Sequence, residues 1–96
     1  MKAIRIPMTT NIFGTEYKIN LVKEPNEWMY ENNAEGYTDF ENKEIYIRDC
    51  DRKKPIYWHE LIHAHLWEAG LKRYATNEDL VEILSEILIR ISNMKI

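Results

Sequence analysis

The 96-residue chain has little cysteine, glycine or proline, no excess of one charge and no long apolar run. Its single cysteine, Cys50, excludes an internal disulfide and fits a reducing cytoplasm. No stretch approaches the roughly 20 apolar residues that span a bilayer, and the first residues lack a signal peptide's apolar stretch, so we expect no membrane segment. Thirteen Lys and Arg oppose sixteen Asp and Glu, and the net charge of −3 disfavours a sequence-independent nucleic-acid binder.

What is present is the composition of one small globular domain. Hydrophobic residues make up 45% of the chain and aromatic residues 11%, which argues against disorder. Three glycines and three prolines are too few for a flexible or Pro-rich linker, and no internal repeat is visible. We therefore expect residues 1–96 to form a single domain.

The first half of the chain, residues 1–50, has the apolar alternation of short β-strands. Residues 11–14 and 41–43 supply turn residues, and the second of these turns belongs to a predicted hairpin. The polar segment 24–35, with Trp28 in its middle, fits either a loop or a short helix. The alternation predicts strands at residues 2–6, 17–22, 36–40 and 44–48.

The second half of the chain is predicted to be helical. Pro55 is tolerated in the first turn of a helix and Gly70 suits a C-terminal cap, so a first helix is predicted at about 55–69. Thr76 begins a pattern that resembles a capping box, and the apolar residues after it predict a second helix at about 77–93. Strands followed by helices indicate an α+β fold, with a small twisted sheet packed on two helices.

The first predicted helix contains a complete HExxH motif, in which His59, Glu60 and His63 are the polar members. Residues four apart on an α-helix differ by about 40° in direction and about 6 Å in height, so both imidazoles can bind one metal ion. The glutamate between them can accept a proton from a zinc-activated water that attacks a carbonyl. The motif therefore predicts a zinc site with two histidine ligands and Glu60 as general base. Both histidines border the flank that we expect to be buried, which comprises Trp58, Ile62, Leu66 and Ala69.

A catalytic zinc site needs a third protein ligand, with the fourth position left to water. His65 lies about 200° around the helix from His63, so it cannot join the same ion. The remaining donors are carboxylates of the second helix, namely Glu78, Asp79, Glu82 and Glu86. These side chains also fit a solvated helix face, because apolar residues centre on the opposite side: Leu80, Leu84, Ile87 and Ile91. Spacing alone leaves Glu78 and Glu82 open as the third ligand.

Three segments of the chain resemble a known family. HELIHA at the motif, NEDLVEILSEIL after it and GYTDFENKEIYI before it are similar to small phage and prophage zincins related to the ImmA/IrrE metallopeptidases. The resemblance covers about two-thirds of the chain, from Gly36 onward. It implies a minimal zincin-like domain with Zn²⁺ as cofactor and proteolysis as its activity.

The resemblance also implies roles for two of the glutamates. Matching the family's E-x-x-A-x-x-F-A pattern to this chain makes Glu78 the third zinc ligand. Glu82, four residues later, then resembles the outer carboxylate of the wider Glu-zincin group, which orients a histidine ligand. The chain departs from the pattern at Val81 and Leu84, where the family has a small and an aromatic residue.

The sequence as a whole predicts a cytoplasmic zinc-dependent metallopeptidase that hydrolyses peptide bonds. An edge of the sheet would hold an extended peptide by strand addition. The alternative is a catalytically silent binding module with the same fold, contacting a phage or host protein. Either function needs a peptide or protein partner, and the short basic run at residues 52–54 is interpreted as a solvated turn rather than a nucleic-acid contact.

Overall fold

The computed structural model describes residues 6–94. These residues form a four-stranded sheet and four helices, which confirms the predicted α+β fold. Among them, no helix is long and apolar enough to cross a membrane. In chain order the elements are β1 (Thr9–Ile12), β2 (Thr15–Val22), α1 (Glu27–Glu31), β3 (Gly36–Asp39), β4 (Glu44–Arg48), α2 (Lys53–Glu68), α3 (Lys72–Ala75) and α4 (Glu78–Asn93).

The sheet is mixed, with the strand order β1-β2-β4-β3. β1 pairs antiparallel with β2, and β3 pairs antiparallel with β4. The central pair, β2 and β4, is parallel, which requires a crossover connection, and α1 lies within that connection. β3 is consequently an edge strand of the described sheet.

The N-terminal half agrees with the predicted strands in outline. The predicted strand at 2–6 lies outside the described residues except for Ile6, which is not in a strand. Asn11 was expected in a turn but belongs to β1, because the turn is confined to Phe13 and Gly14. Both have positive φ, 50° and 88°, as a two-residue hairpin loop requires. The polar segment before β3 contains the short helix α1.

The core lies between one face of the sheet and α2. Strand alternation sends every second side chain to that face. The buried cluster consists of Ile12, Tyr17, Ile19, Ile45, Ile47, Ile56 and Ala64. Gly36 lets α2 come close to β3, since a Cβ there would lie 2.7 Å from Ile56 Cγ2 and 3.3 Å from Glu60 Cγ. This approach sets the edge strand against the helix that carries the HExxH motif.

The buried face of α2 differs from the predicted one. The helix buries Ile56, Glu60, His63 and Ala64. The flank expected to be buried is only half-buried, and its last member, Ala69, is exposed. The physical reason is that α2 has the sheet on one side and α3 and α4 on the other, so its burial is not confined to one flank.

α4 buries a face that lies between its isoleucines and its glutamates. It begins at Glu78, and its cap is Asn77 rather than Thr76, because the Asn77 side chain accepts a hydrogen bond from Leu80 N at 3.0 Å. Its buried residues are Val81 and Ser85. Of the apolar residues named on the side opposite the glutamates, Leu80 and Leu84 are half-buried and Ile87 and Ile91 are exposed, as is Ile83 in line with them. Glu78 and Glu82 reach His59 from beside the buried face, and most of each side chain is exposed.

Candidate metal centre

Two helices bring the candidate ligands together. His59 and His63 lie on the same side of α2, and their Nε2 atoms are 3.2 Å apart. Glu78 is the first residue of α4, held there by the Asn77 cap. Its Oε1 lies 3.0 Å from His63 Nε2, and its Oε2 lies 3.1 Å from His59 Nε2. The three donors thus meet at one point between the helices.

The spacing of these donors fits a tetrahedral metal site. Tetrahedral bonds of about 2.05 Å to zinc place neighbouring donor atoms about 3.3 Å apart. Each of the observed separations, 3.0, 3.1 and 3.2 Å, is close to that value, and the two shorter ones join different oxygens of Glu78. One donor atom from each of the three residues lies within 4.8 Å of the other two. Two histidines and one glutamate also form a known donor set of catalytic zinc sites with three protein ligands. His59, His63 and Glu78 are therefore able to hold a zinc ion.

The other nitrogen of each imidazole has its own acceptor. His59 Nδ1 lies 3.0 Å from Glu82 Oε2, and His63 Nδ1 contacts the backbone carbonyl oxygen of Ala75. Each acceptor can hold a proton on Nδ1, which leaves the Nε2 atom of that ring available to bind a metal ion.

Glu60 is buried between α2 and the edge strand β3, with 5% of its surface exposed. Thr38 Oγ1 donates to Glu60 Oε1 at 2.9 Å and also lies 3.2 Å from the Glu60 carbonyl oxygen. Burial raises the pKa of Glu60 to about 7, and the charge of His59 and the hydrogen bond from Thr38 oppose part of that rise. A carboxyl group with a pKa near neutrality suits general acid–base chemistry.

The cluster opens on a cleft of about 1290 Å³. Its walls include the three candidate ligands, Glu60, Glu82 and residues of β3, α1 and the turns beside them.

Burial lowers the pKa of His63, although the Ala75 carbonyl and Glu78 oppose that change. Its imidazole is therefore neutral at pH 7, which is the form that binds a metal.

The remaining predicted candidates lie outside the cluster. Asp79 and Glu86 are exposed on α4 and contribute no donor to it. His65 Nδ1 lies 2.7 Å from the carbonyl oxygen of Leu61, and its ring packs edge-on against Phe13. His65 therefore lies outside the cluster, as its position on the helix predicted.

Sequence reasoning missed two groups that contact the motif, the hydroxyl of Thr38 and the carbonyl of Ala75. Thr38 precedes Glu60 by 22 residues, and only the packing of β3 on α2 makes them neighbours. A backbone carbonyl carries no side-chain signature at all. The one signal available was that GYTD belongs to the predicted hairpin that precedes the motif-bearing helix, with β4 between them.

The chain matches no family model, no curated protein and no solved structure. Its function must therefore be inferred from the geometry of the site. A fold by itself does not define an activity, whereas donor spacing, burial and access constrain the chemistry directly.

Proposed function

We propose that the chain is a cytoplasmic zinc-dependent metallopeptidase. The observation that carries the proposal is the convergence of His59, His63 and Glu78 at separations of 3.0 to 3.2 Å. This convergence occurs at the wall of a cleft that also contains the buried Glu60. The resemblance of the surrounding segments to phage and prophage zincins agrees with it.

Each polar group of the site has a role in the proposed reaction. Zinc held by the three ligands would lower the pKa of a water molecule and polarise the scissile carbonyl. Glu60 accepts a proton from the attacking water and transfers it to the leaving amine. Glu82 and the Ala75 carbonyl orient the two imidazoles, and Thr38 orients the Glu60 carboxylate.

The edge strand β3 supports the binding of an extended peptide. Gly36 and Thr38 of this strand line the same cleft as the histidines. A peptide that adds to the edge of a sheet gains backbone hydrogen bonds independent of its sequence. A substrate held along β3 would then run past the zinc ligands.

Zinc content, measured by elemental analysis, tests the metal site. We expect about one zinc per chain in the wild type and a clear loss in Glu78→Ala. Glu82→Ala should keep the ion with an affinity weaker by about 10- to 100-fold, because Glu82 contacts Nδ1 of His59. Glu86→Ala, an exposed glutamate on the same helix, is the matched control. A wild-type protein without zinc after supplementation would contradict the proposal.

Cleavage of a fluorescence-quenched peptide library tests the reaction. Glu60→Gln removes the general base without removing a ligand, so zinc content should stay the same while turnover falls by at least about 100-fold. Equal turnover by the variant and the wild type would rule out this mechanism.

One observation favours a second candidate function, a zincin-fold module that binds a phage or host protein without cleaving it. The exposed isoleucines Ile83, Ile87 and Ile91 form an apolar stripe along α4. A binding module should recover its partner intact and equally well with Glu60→Gln. Ile87→Asp should abolish that binding, whereas a peptidase should remain active with the same substitution.

A further inference from the structure

A second groove adjoins the candidate metal centre at the end of β3. Its volume is about 850 Å³, and two aromatic pairs line it. The rings of Trp28 and Tyr37 are 4.5 Å apart, and those of Phe40 and Trp67 are stacked at 4.2 Å with an angle of 7° between their planes. We refer to it as the aromatic groove.

The aromatic groove is continuous with the cleft that holds the zinc ligands. Trp28, Tyr37, Thr38 and Phe40 line both spaces. Trp67 follows His63 by four residues, so it lies about one turn further along the histidine side of α2. A peptide that runs along β3 past the cluster therefore brings a neighbouring side chain to the groove.

The chemistry of the walls selects an aromatic side chain. Lys72 Nζ lies 4.7 Å from the centre of the Trp67 ring, and Phe40 stacks on that ring at 4.2 Å. These two contacts fix the position of the Trp67 side chain. Trp28 on the other wall is 49% exposed, so apolar surface remains for a guest to cover. Aromatic rings gain more than their buried area alone when they meet edge-to-face or offset-stacked.

We propose that the aromatic groove binds an aromatic side chain of the peptide, close to the bond that is cleaved. This inference rests on the proposed function and assigns its substrate class, namely extended peptides with Phe, Tyr or Trp beside the scissile bond. Trp67 and Trp28 are the residues that determine this preference. Asp39, Glu41 and Lys43 also line the groove and make up its polar part.

Peptide binding to the zinc-loaded Glu60→Gln protein tests the groove without requiring cleavage. The probes are two end-blocked pentapeptides, one with Phe and one with Ala at the centre of four alanines, titrated by calorimetry. We expect the Phe peptide to bind about 10-fold more tightly, since each tenfold step needs only about 1.4 kcal/mol. Trp67→Ala should reduce that ratio to about 2-fold. Trp28→Ala should also reduce the ratio of the two affinities. Because Trp28 is more exposed, this second variant tests the groove even if Trp67→Ala fails to fold.

Tyr74→Ala is the matched control, because Tyr74 is a half-exposed aromatic residue that lines neither space. It should leave the 10-fold ratio unchanged. Equal binding of the two peptides, or no binding of either, would overturn the assignment of the groove. Preferred binding of the Phe peptide by the Glu60→Gln protein, with no cleavage of any peptide by the zinc-loaded wild type, would support the groove while contradicting the peptidase. Cleavage of both peptides at the same kcat/KM would support the peptidase and overturn the groove.

Discussion

Thr38 is a positioning residue for the proposed general base. Among the described residues, its hydroxyl is the one side-chain hydrogen-bond donor to the Glu60 carboxylate, at 2.9 Å. Thr38→Val keeps the shape of the side chain and removes the donor. We expect unchanged zinc content, a KM within about 2-fold of wild type, and a kcat lower by about 10- to 100-fold because the carboxylate loses its fixed orientation.

Thr38→Ser provides the control for this prediction. Serine retains the hydroxyl, so its kcat should return to within a few-fold of the wild-type value. If the valine variant turns over at the wild-type rate, or if serine is as slow as valine, the hydroxyl does not position Glu60. Steady-state kinetics with one quenched peptide and zinc analysis of each variant decide between these results.

Gly36 allows α2 to pack closely on β3, because no space remains there for a Cβ atom. A Cβ there would lie 2.7 Å from Ile56 Cγ2 and 2.9 Å from the backbone oxygen of Tyr46. Because the second contact is with backbone, relief requires a shift of the strand or the helix. Gly36→Ala should therefore lower the free energy of unfolding by about 2 to 3 kcal/mol in urea titrations.

Gly70→Ala separates this steric effect from the general cost of losing a glycine. Gly70 has φ of +83°, but an added Cβ meets no described atom within 4 Å. Its substitution should cost only about 1 kcal/mol, from backbone strain. A Gly36→Ala protein no less stable than Gly70→Ala would show that α2 can move away from β3 without loss.

At the scale of whole elements, periodicity predicted the bounds of α4 but not its orientation. The helix was expected at about 77–93 and is found at Glu78–Asn93. Its apolar and acidic side chains occupy opposite faces, and sequence cannot show how far an acidic group with a partner on α2 rotates the helix. Val81 and Ser85, between the two faces, are the buried residues, and Glu78 and Glu82 contact His59 from beside them.

The same limit applies to the candidate site. Two histidines and Glu60 were predictable because they lie within five consecutive residues of one helix, where geometry is local. The choice between Glu78 and Glu82 depends on where α3 places the start of α4 relative to α2. The role of Thr38 depends on the packing of a strand on a helix, which no local pattern encodes.

The observed orientation of α4 predicts which of its side chains stabilise the fold. Val81 is fully buried, whereas Ile87 is 45% exposed. Val81→Ala should lower the free energy of unfolding by about 2 kcal/mol, from lost apolar contact and a residual cavity. Ile87→Ala removes a larger side chain but should cost less than about 0.5 kcal/mol. A larger loss for Ile87 in urea titrations of the monomer would mean that the apolar face packs inward.

Across the whole molecule, one polar cluster joins the far end of α2 to the sheet. Tyr17 O–H donates to Glu68 Oε2 at 2.6 Å, and Lys43 Nζ donates to the same oxygen at 2.8 Å. These hydrogen bonds, that of Lys43 first, lower the pKa of Glu68 below its ordinary value of 4.5. The cluster therefore stabilises the fold above that pH and loses its contribution as pH falls through the lower folded value.

Glu68→Gln tests this pH dependence. At pH 7 the substitution should lower the free energy of unfolding by about 1 kcal/mol, because both bonds lose their charge assistance. The difference from wild type should shrink as the pH falls below 4.5, where the unfolded carboxyl group becomes protonated. Glu86→Gln, on the exposed side of α4, should show no such trend. A constant difference across the pH series would assign the effect to packing instead of charge.

Removal of zinc should loosen one part of the molecule more than the rest. His59 and His63 lie on α2 and Glu78 lies on α4, so the proposed ion joins two elements whose buried contact on the α4 side is limited to Val81 and Ser85. Zinc that binds the folded state alone would add roughly 4 kcal/mol to the free energy of unfolding when free zinc is about 1,000 times its Kd.

The chelator EDTA should therefore accelerate amide hydrogen exchange in α4 well before it does so in β2 and β4, which contribute side chains to the core. Glu78→Ala should show the same fast exchange without EDTA, and Glu86→Ala should not. Uniform acceleration over sheet and helices, or none, would mean that the ion does not join α4 to α2.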